Sequence, residues 1–349
     1  MREKLSNVLV ARTDRLGDVI LTLPVFAALR EFFPQARLSF LLQSYTAELI
    51  EGHPLVDEVI RCDVLPRSEL LRLVRSKMFD AAIAAYPTWS VAWLLFRARI
   101  PIRVGSGYRP YSLLFTHRRY EHRHLALHHE SEYNLNLLCA LGVDPLAIGP
   151  PQVSLPISAT LRRESLEIAA HAGVDFSKPV VVIHPGSGGS AWDWPLERFA
   201  ELGKLLRAGH DVTIVITGSE SEQSIAEHLV QMIGGSAFSL AGKFTLKQLT
   251  AFLSNASVVV ANSTGPIHIA AAVGTAVVGL YPNVPPMTPR RWSPLTEKKQ
   301  ILVPHNDKIS IRATPHEQMM SISAEEVFRA VELFLPRENY PSPEAGVNS

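Results

Sequence analysis

Sulfur is scarce in this sequence. Its 349 residues hold two cysteines, Cys62 and Cys139, far apart and in no metal-binding spacing. That argues against a disulfide framework and favours a reducing compartment, so the expected location is the cytoplasm. Charge is also sparse. Asp, Glu, Lys and Arg make up 19% of the chain, and 34 basic against 33 acidic residues leave a formal charge of +1. A disordered polyelectrolyte is excluded, and the overall charge predicts no polyanionic partner, though it can hide local patches. Nucleic acid is not expected, since stacking aromatics are sparse and no binding motif appears. The start of the chain, up to Asn7, lacks the apolar stretch of a signal peptide. One region, Gln248 to Pro289, contains no charged side chain and is long enough to span a bilayer. Asn262-Ser263-Thr264-Gly265-Pro266 and Gly274 interrupt it, so it reads as strand, loop, helix and strand. Glycine-rich nucleotide signatures are missing as well. The loop after the first apolar run has one glycine, fitting neither G-x-G-x-x-G nor G-x-x-x-x-G-K-[ST]. This argues against a nicotinamide or flavin oxidoreductase and against a P-loop kinase.

What is present is apolar sequence, 47% of the chain, enough to fill two cores. Short apolar runs alternate with amphipathic ones. Strands are expected at Asn7–Ala11, Arg37–Leu42, Asp80–Ala85, Ile102–Val104, Val180–His184, Asp211–Thr217, Ser257–Ala261, Ala276–Tyr281 and Gln300–Val303. Helices are expected at Val19–Phe32, Ser131–Leu141, Ala159–Ala172, Leu196–Leu206, Glu220–Ile233 and Leu246–Leu253. Continuous apolar strands separated by helices imply α/β folding with parallel sheets covered on both faces. Each half opens with a strand, a polar glycine-containing loop and a helix. The expected units are residues 1–157, residues 158–322, and residues 323–349. The last unit opens with a capping box, Ser323-Ala324-Glu325-Glu326, and ends in a loose proline-containing tail.

Ligands of open α/β sheets sit beyond the carboxyl ends of the strands, so the loops there are the candidate site. In Arg12-Thr13-Asp14-Arg15-Leu16-Gly17-Asp18, Asp18 opens a helix. It is either a helix cap or a rigidly held base facing an interdomain cleft. In His184-Pro185-Gly186-Ser187-Gly188-Gly189-Ser190, the glycines and serines suit a phosphate or ribose, or form a connector. In Asn262-Ser263-Thr264-Gly265-Pro266-Ile267-His268, small polar residues precede an alanine-rich helix. Free N–H groups and the helix dipole there would favour a diphosphate, with His268 on the first turn. The bland alternative is a capped buried helix with a core histidine. Between Arg97 and His129 lie seven Arg and five His against one acid, Glu121. Such a stretch suits an anionic acceptor or an anionic membrane surface, or is a solvated loop.

These residues together resemble the bacterial heptosyltransferases, glycosyltransferase family nine. The resemblance begins with Val8 to Pro24 and Ala28-Leu29-Arg30. It continues through Gly52-His53-Pro54, His129-Glu130, Leu240-Ala241-Gly242-Lys243, Asn262 to His268, and Pro289-Arg290-Arg291-Trp292. It implies a GT-B arrangement of two Rossmann-like domains facing across a cleft, with the last helix returning to the N-terminal domain. It also implies inverting transfer of heptose from ADP-L-glycero-D-manno-heptose to a lipopolysaccharide inner-core acceptor. No cofactor or metal is implied, in keeping with the absence of Asp-x-Asp. By resemblance Asp18 is the base. Ser187, Gly188, Gly189, Glu222, Ser263, Thr264, Gly265 and His268 line the donor. Arg12, Arg15, Arg109, Arg118 and Arg119 are candidates for the anionic, lipid-linked acceptor, and peripheral attachment to the inner membrane is expected. Two departures stand out: Trp192 where members commonly carry Lys, and Ser263 where some carry Asp. Arg290 or Arg291 is the expected substitute for the missing cation. The alternatives are a non-catalytic or altered-donor sugar-nucleotide-binding homologue, and an epimerase or hydrolase of the same fold.

Overall fold

The computed structural model describes residues 5–189, 191–305 and 313–336. The first half forms one six-stranded sheet. Its strands are β1 (Asn7–Ala11), β2 (Arg37–Leu42), β3 (Glu58–Arg61), β4 (Ala81–Ala84), β5 (Ile102–Ser106) and β6 (His117–Arg119), in the order β3-β2-β1-β4-β5-β6. The second half repeats the plan with β7 (Val180–His184), β8 (Thr213–Ile216), β9 (Ala237–Ser239), β10 (Val258–Asn262), β11 (Ala276–Leu280) and β12 (Lys299–Leu302). Their order is β12-β11-β10-β7-β8-β9. Every pairing is parallel. Counted from its own first strand, each sheet has the 3-2-1-4-5-6 order of doubly wound nucleotide-binding folds, which opens a crevice where the order reverses. Those reversal points lie after β1 and β4 in one sheet and after β7 and β10 in the other.

The expected helix Val19–Phe32 is two helices, Leu16–Ile20 and Leu23–Phe32, parted at Leu21–Thr22. Pro24, without an N–H, fits only the first turn of a new helix. Asn134 Nδ2 then donates to Leu21 O at 3.2 Å and Thr22 Oγ1 at 3.3 Å, satisfying the break. The expected helix Ser131–Leu141 is likewise a helix, Glu130–Leu135, followed by a 3₁₀ segment, Asn136–Leu141.

The final helix, Ala324–Glu332, is capped by Ser323 with Glu326 as read from sequence. Its direction differs from the expectation. Val327, Ala330 and Val331 are buried in the second core beside Phe199, Leu202 and Leu206, so it packs on the second unit. The tail from residue 337 lies outside the described residues.

The two units are stitched at their inner faces. Gly17, in Leu16–Ile20, abuts His268, and Gly265 abuts Leu16. A Cβ at Gly17 would come within 2.7 Å of the His268 ring, and one at Gly265 within 2.8 Å of Leu16 Cδ2. The helix after β1 and the helix after β10, Gly265–Ala272, therefore approach as closely as glycine permits. Among the described residues no helix is long and apolar enough to cross a membrane.

Candidate active site

Asp18 is not the cap of its helix. Arg15 is the N-cap residue and its side chain makes no cap bond. Asp18 sits in the first turn, and its carboxylate pairs instead with Arg12 Nη2. Arg12 is 2% exposed. Its Nε donates to Asp14 Oδ1 at 2.7 Å and its Nη1 to Glu130 Oε1 at 3.0 Å. Glu130, fully buried, also accepts from Arg123 Nη1 at 2.7 Å and from Arg291 Nε at 2.9 Å. Three guanidinium groups thus face three carboxylates in one buried network, which meets the rule that a buried charge needs partners.

The carboxylates are not equivalent. Burial would raise Glu130, but Arg123, Arg12 and Arg291 outweigh it and hold it at about 2. Burial raises Asp18, Arg12 opposes this, and the like charges of Asp14 and Glu130 add to it; Asp18 comes to about 7. Burial would lower Arg12, but Asp18, Asp14 and Glu130 raise it, so it stays cationic. A carboxylate near neutrality, fixed by a permanent cation, is suited to taking a proton.

Across the interface β10 ends at Asn262, and this side chain ties three segments together. Its Oδ1 accepts from Trp194 N at 2.9 Å, and its Nδ2 donates to Pro185 O at 2.7 Å and Asp193 Oδ1 at 3.2 Å. Beyond it Thr264 Oγ1 and His268 Nδ1 are buried and have no hydrogen-bond partner among the described residues. Burial, with His129 and Lys299 nearby, lowers His268 to about 3, so its ring is neutral. Polar atoms buried without partners beside a helix N-terminus are what a site awaiting an acceptor-rich ligand leaves behind. A cavity of about 210 Å³ lies there, lined by Asp18 and Gly17 from one unit and by Ser263, Thr264, Gly265 and His268 from the other.

The glycine loop after β7 has a different internal partner. Gly188 and Gly189 adopt φ of 54° and 71°, which side chains resist. Glu222 Oε2 accepts from Ser219 N at 2.7 Å, and the side chain folds over this loop. Burial would raise the Glu222 carboxyl, but bonds from Ser219, the charge of His184 and the Gly188 N–H lower it. Glu222 and the loop are brought together. Ser187 bonds the Asp193 carboxylate.

The candidate arginines divide between the buried network, the cleft and the surface. Arg12 is enclosed by carboxylates and cannot meet an acceptor directly; it positions Asp18. Arg291 is engaged with Glu130 and with Arg123 O at 3.0 Å, so it is no free phosphate partner. Arg290 is exposed on the short helix Pro289–Trp292. Arg109 and Arg118 are exposed, and Arg119 lies 4.0 Å from Glu121. Arg15 crosses the cleft, with Nη2 donating to Gly189 O at 3.3 Å. It lines both the 210 Å³ cavity and a second cavity of about 960 Å³ formed by the first unit. Trp192 packs on the second core, whereas its neighbour Ala191 lines the smaller cavity.

The pattern model of glycosyltransferase family 9 (heptosyltransferase) matches residues 67–319. The chain belongs to glycosyltransferase family 9. It is accordingly an enzyme of the glycosyltransferase class. It is 24% identical over 283 residues to the lipopolysaccharide core heptosyltransferase OpsX of Haemophilus influenzae, covering 79% of this chain and 78% of that one. It is 25% identical to lipopolysaccharide heptosyltransferase 2 of Salmonella typhimurium, covering 95% and 99%. The solved structure of E. coli ADP-heptose LPS heptosyltransferase II superposes with a TM-score of 0.78 at 21% identity, covering 95% of this chain and 98% of that one. That likeness fixes the fold of this family 9 chain as the GT-B arrangement.

Sequence reasoning passed over Asp14, Arg123, Glu130 and Asn262 as site residues of this family 9 enzyme. Glu130 is 118 residues from Arg12 and 161 from Arg291. Only the fold brings these charges together. The available signal was that His129-Glu130 belongs to the family resemblance, and Asn262 was visible as the first residue of its motif.

Proposed function

We propose that the enzyme transfers heptose from ADP-L-glycero-D-manno-heptose to an anionic, lipid-linked inner-core saccharide, with inversion and without a metal ion. One observation carries this reading. The raised carboxylate Asp18 and the helix start Ser263–Gly265 line the same cavity from opposite units. The named activities of OpsX and of the E. coli heptosyltransferase support the choice of sugar and nucleotide.

Asp18 takes the proton of an acceptor hydroxyl as its oxygen bonds to the anomeric carbon. The bond from that carbon to the diphosphate oxygen breaks, and ADP departs with the electron pair. The N–H groups at the start of Gly265–Ala272, Thr264 Oγ1 and His268 Nδ1 meet the charge that develops there. Arg15 supplies the cation that Trp192 does not. It lines the cavity and can exchange its bond to Gly189 O for a phosphate oxygen. The larger cavity, bounded by Asp14, Arg15, Arg67 and Arg97, accommodates the acceptor. The near absence of cysteine supports a cytoplasmic reaction.

The test is to incubate the protein with ADP-, GDP- and UDP-sugars, with and without lipopolysaccharide core acceptors. Acceptor-dependent release of ADP is the expected result. Binding without transfer would establish the non-catalytic homologue, and free sugar released without acceptor would establish a hydrolase or epimerase.

A further inference from the structure

The helix Trp89–Arg97 leaves three large aromatic side chains in solvent. Trp89 is 58% exposed, Trp93 51% and Phe96 43%. Their spacing of four and three residues puts them along one face. Val91, Ala92, Leu94 and Leu95 are buried on the other side. Beside them the 3₁₀ turn Pro110–Leu114 packs edge-on, with Tyr111 and Trp89 ring centroids 5.7 Å apart. It adds Leu113, 74% exposed. An apolar face this continuous on a water-exposed surface marks a place of contact.

The charge of the patch has one sign. From Ala81 to Tyr120 the sequence holds six arginines and no Asp or Glu. The Arg97 guanidinium lies 5.6 Å from the Trp93 ring centroid, and Arg103 lies 5.6 Å from that of Phe96. Arg109 is exposed immediately before the turn. The neighbouring helix Arg67–Ser76 adds Arg67, Arg72 and Arg75 against Glu69. Trp93 and Arg97 also belong to the wall of the 960 Å³ cavity, so the patch is the rim of the acceptor's entrance.

We propose that this face docks the enzyme on an anionic lipid bilayer surface. The inference deepens the reading of the acceptor as lipid-linked and rests on it. Tryptophan settles where headgroups meet acyl chains, and guanidinium groups are drawn to anionic headgroups. A second copy of the same face would set arginine against arginine, so self-pairing is opposed by like charge. Docked this way, the helix holds the cavity mouth at the surface from which a lipid-anchored saccharide projects, and only the saccharide has to leave the membrane plane.

The full chain is to be sedimented with vesicles of phosphatidylcholine, with and without phosphatidylglycerol, while tryptophan emission is followed. Binding to the anionic vesicles alone, a blue shift, and weakening by salt are expected. Trp89→Ser combined with Leu113→Ser should lower the partition coefficient at least about tenfold, by loss of buried apolar area. Arg109→Gln should lower it about fivefold, the effect of one basic residue near an anionic surface. ADP affinity, read at the interdomain cavity, should be unchanged in each variant and shows that the fold is intact. Equal binding of wild type and variants, equal binding to neutral vesicles, or no vesicle binding with a dimer that Trp89→Ser dissociates would each overturn the proposal. Absence of sugar transfer would overturn the catalytic reading while leaving the vesicle result to stand separately.

Discussion

Asp18 carries two opposing influences, and their balance sets a measurable pH dependence. Its burial and the charges of Asp14 and Glu130 raise it to about 7 against the pull of Arg12. A base works deprotonated, so kcat/KM should rise with pH and level off above about 7. Asp14→Asn removes a like charge and should move the midpoint to lower pH. Arg12→Gln removes the cation and should move it up. His268 is neutral throughout this range and contributes no limb of its own. Glu130 has the opposite sign. Its folded value of about 2 lies below the ordinary carboxylate range, so its stabilisation is present above that range and is lost as pH falls toward 2. Glu130→Gln leaves Arg12, Arg123 and Arg291 one carboxylate short and should cost about 3–5 kcal/mol of unfolding free energy, measured by denaturant titration.

At the scale of elements, the pair of helices Leu16–Ile20 and Gly265–Ala272 sets the distance between Asp18 and the Ser263–Gly265 helix start. Gly17→Ala would put a Cβ within 2.7 Å of the buried His268 ring, so the ring or the helix must shift. Such overpacking typically costs about 1–3 kcal/mol. A lower melting temperature together with a fall in kcat/KM is the expected outcome, read by calorimetry and initial rates. The sequence made the inner strands legible. β1, β2 and β7 are predominantly apolar runs, and their bounds were read to the residue. It hid β3, β6 and β9, which are short and partly polar: Glu58–Arg61, His117–Arg119 and Ala237–Ser239. β3, β6 and β9 each lie at a sheet edge, where one side is unpaired and apolar pattern is weakest. The break at Leu21–Thr22 was signalled by Pro24 and passed over because the flanking residues are uniformly apolar.

On the scale of the whole molecule, Glu130 joins the units, since Arg12 and Arg123 come from one and Arg291 from the other. Arg15 makes a second, weaker link to Gly189. Rearrangement of the two units about these links would close the donor cavity to water. Arg15→Ala should therefore weaken ADP binding at least about tenfold, the scale of a charge-assisted pair, while adenosine binding is unchanged; calorimetric titration of both ligands checks this. The candidate site was legible as motifs because each lies directly after a strand, where the fold class places ligands. The ion network was not legible. Its members are scattered over the chain, and no local pattern distinguishes a buried arginine such as Arg12 from an exposed one such as Arg109.

The most direct measurement is the single-turnover rate of Asp18→Asn with a bound ADP-sugar and saturating acceptor, set beside its ADP affinity and melting temperature. The account predicts a rate at least about a hundredfold below wild type, the scale of a lost general base, with affinity and stability retained. A rate within a few fold of wild type would contradict it.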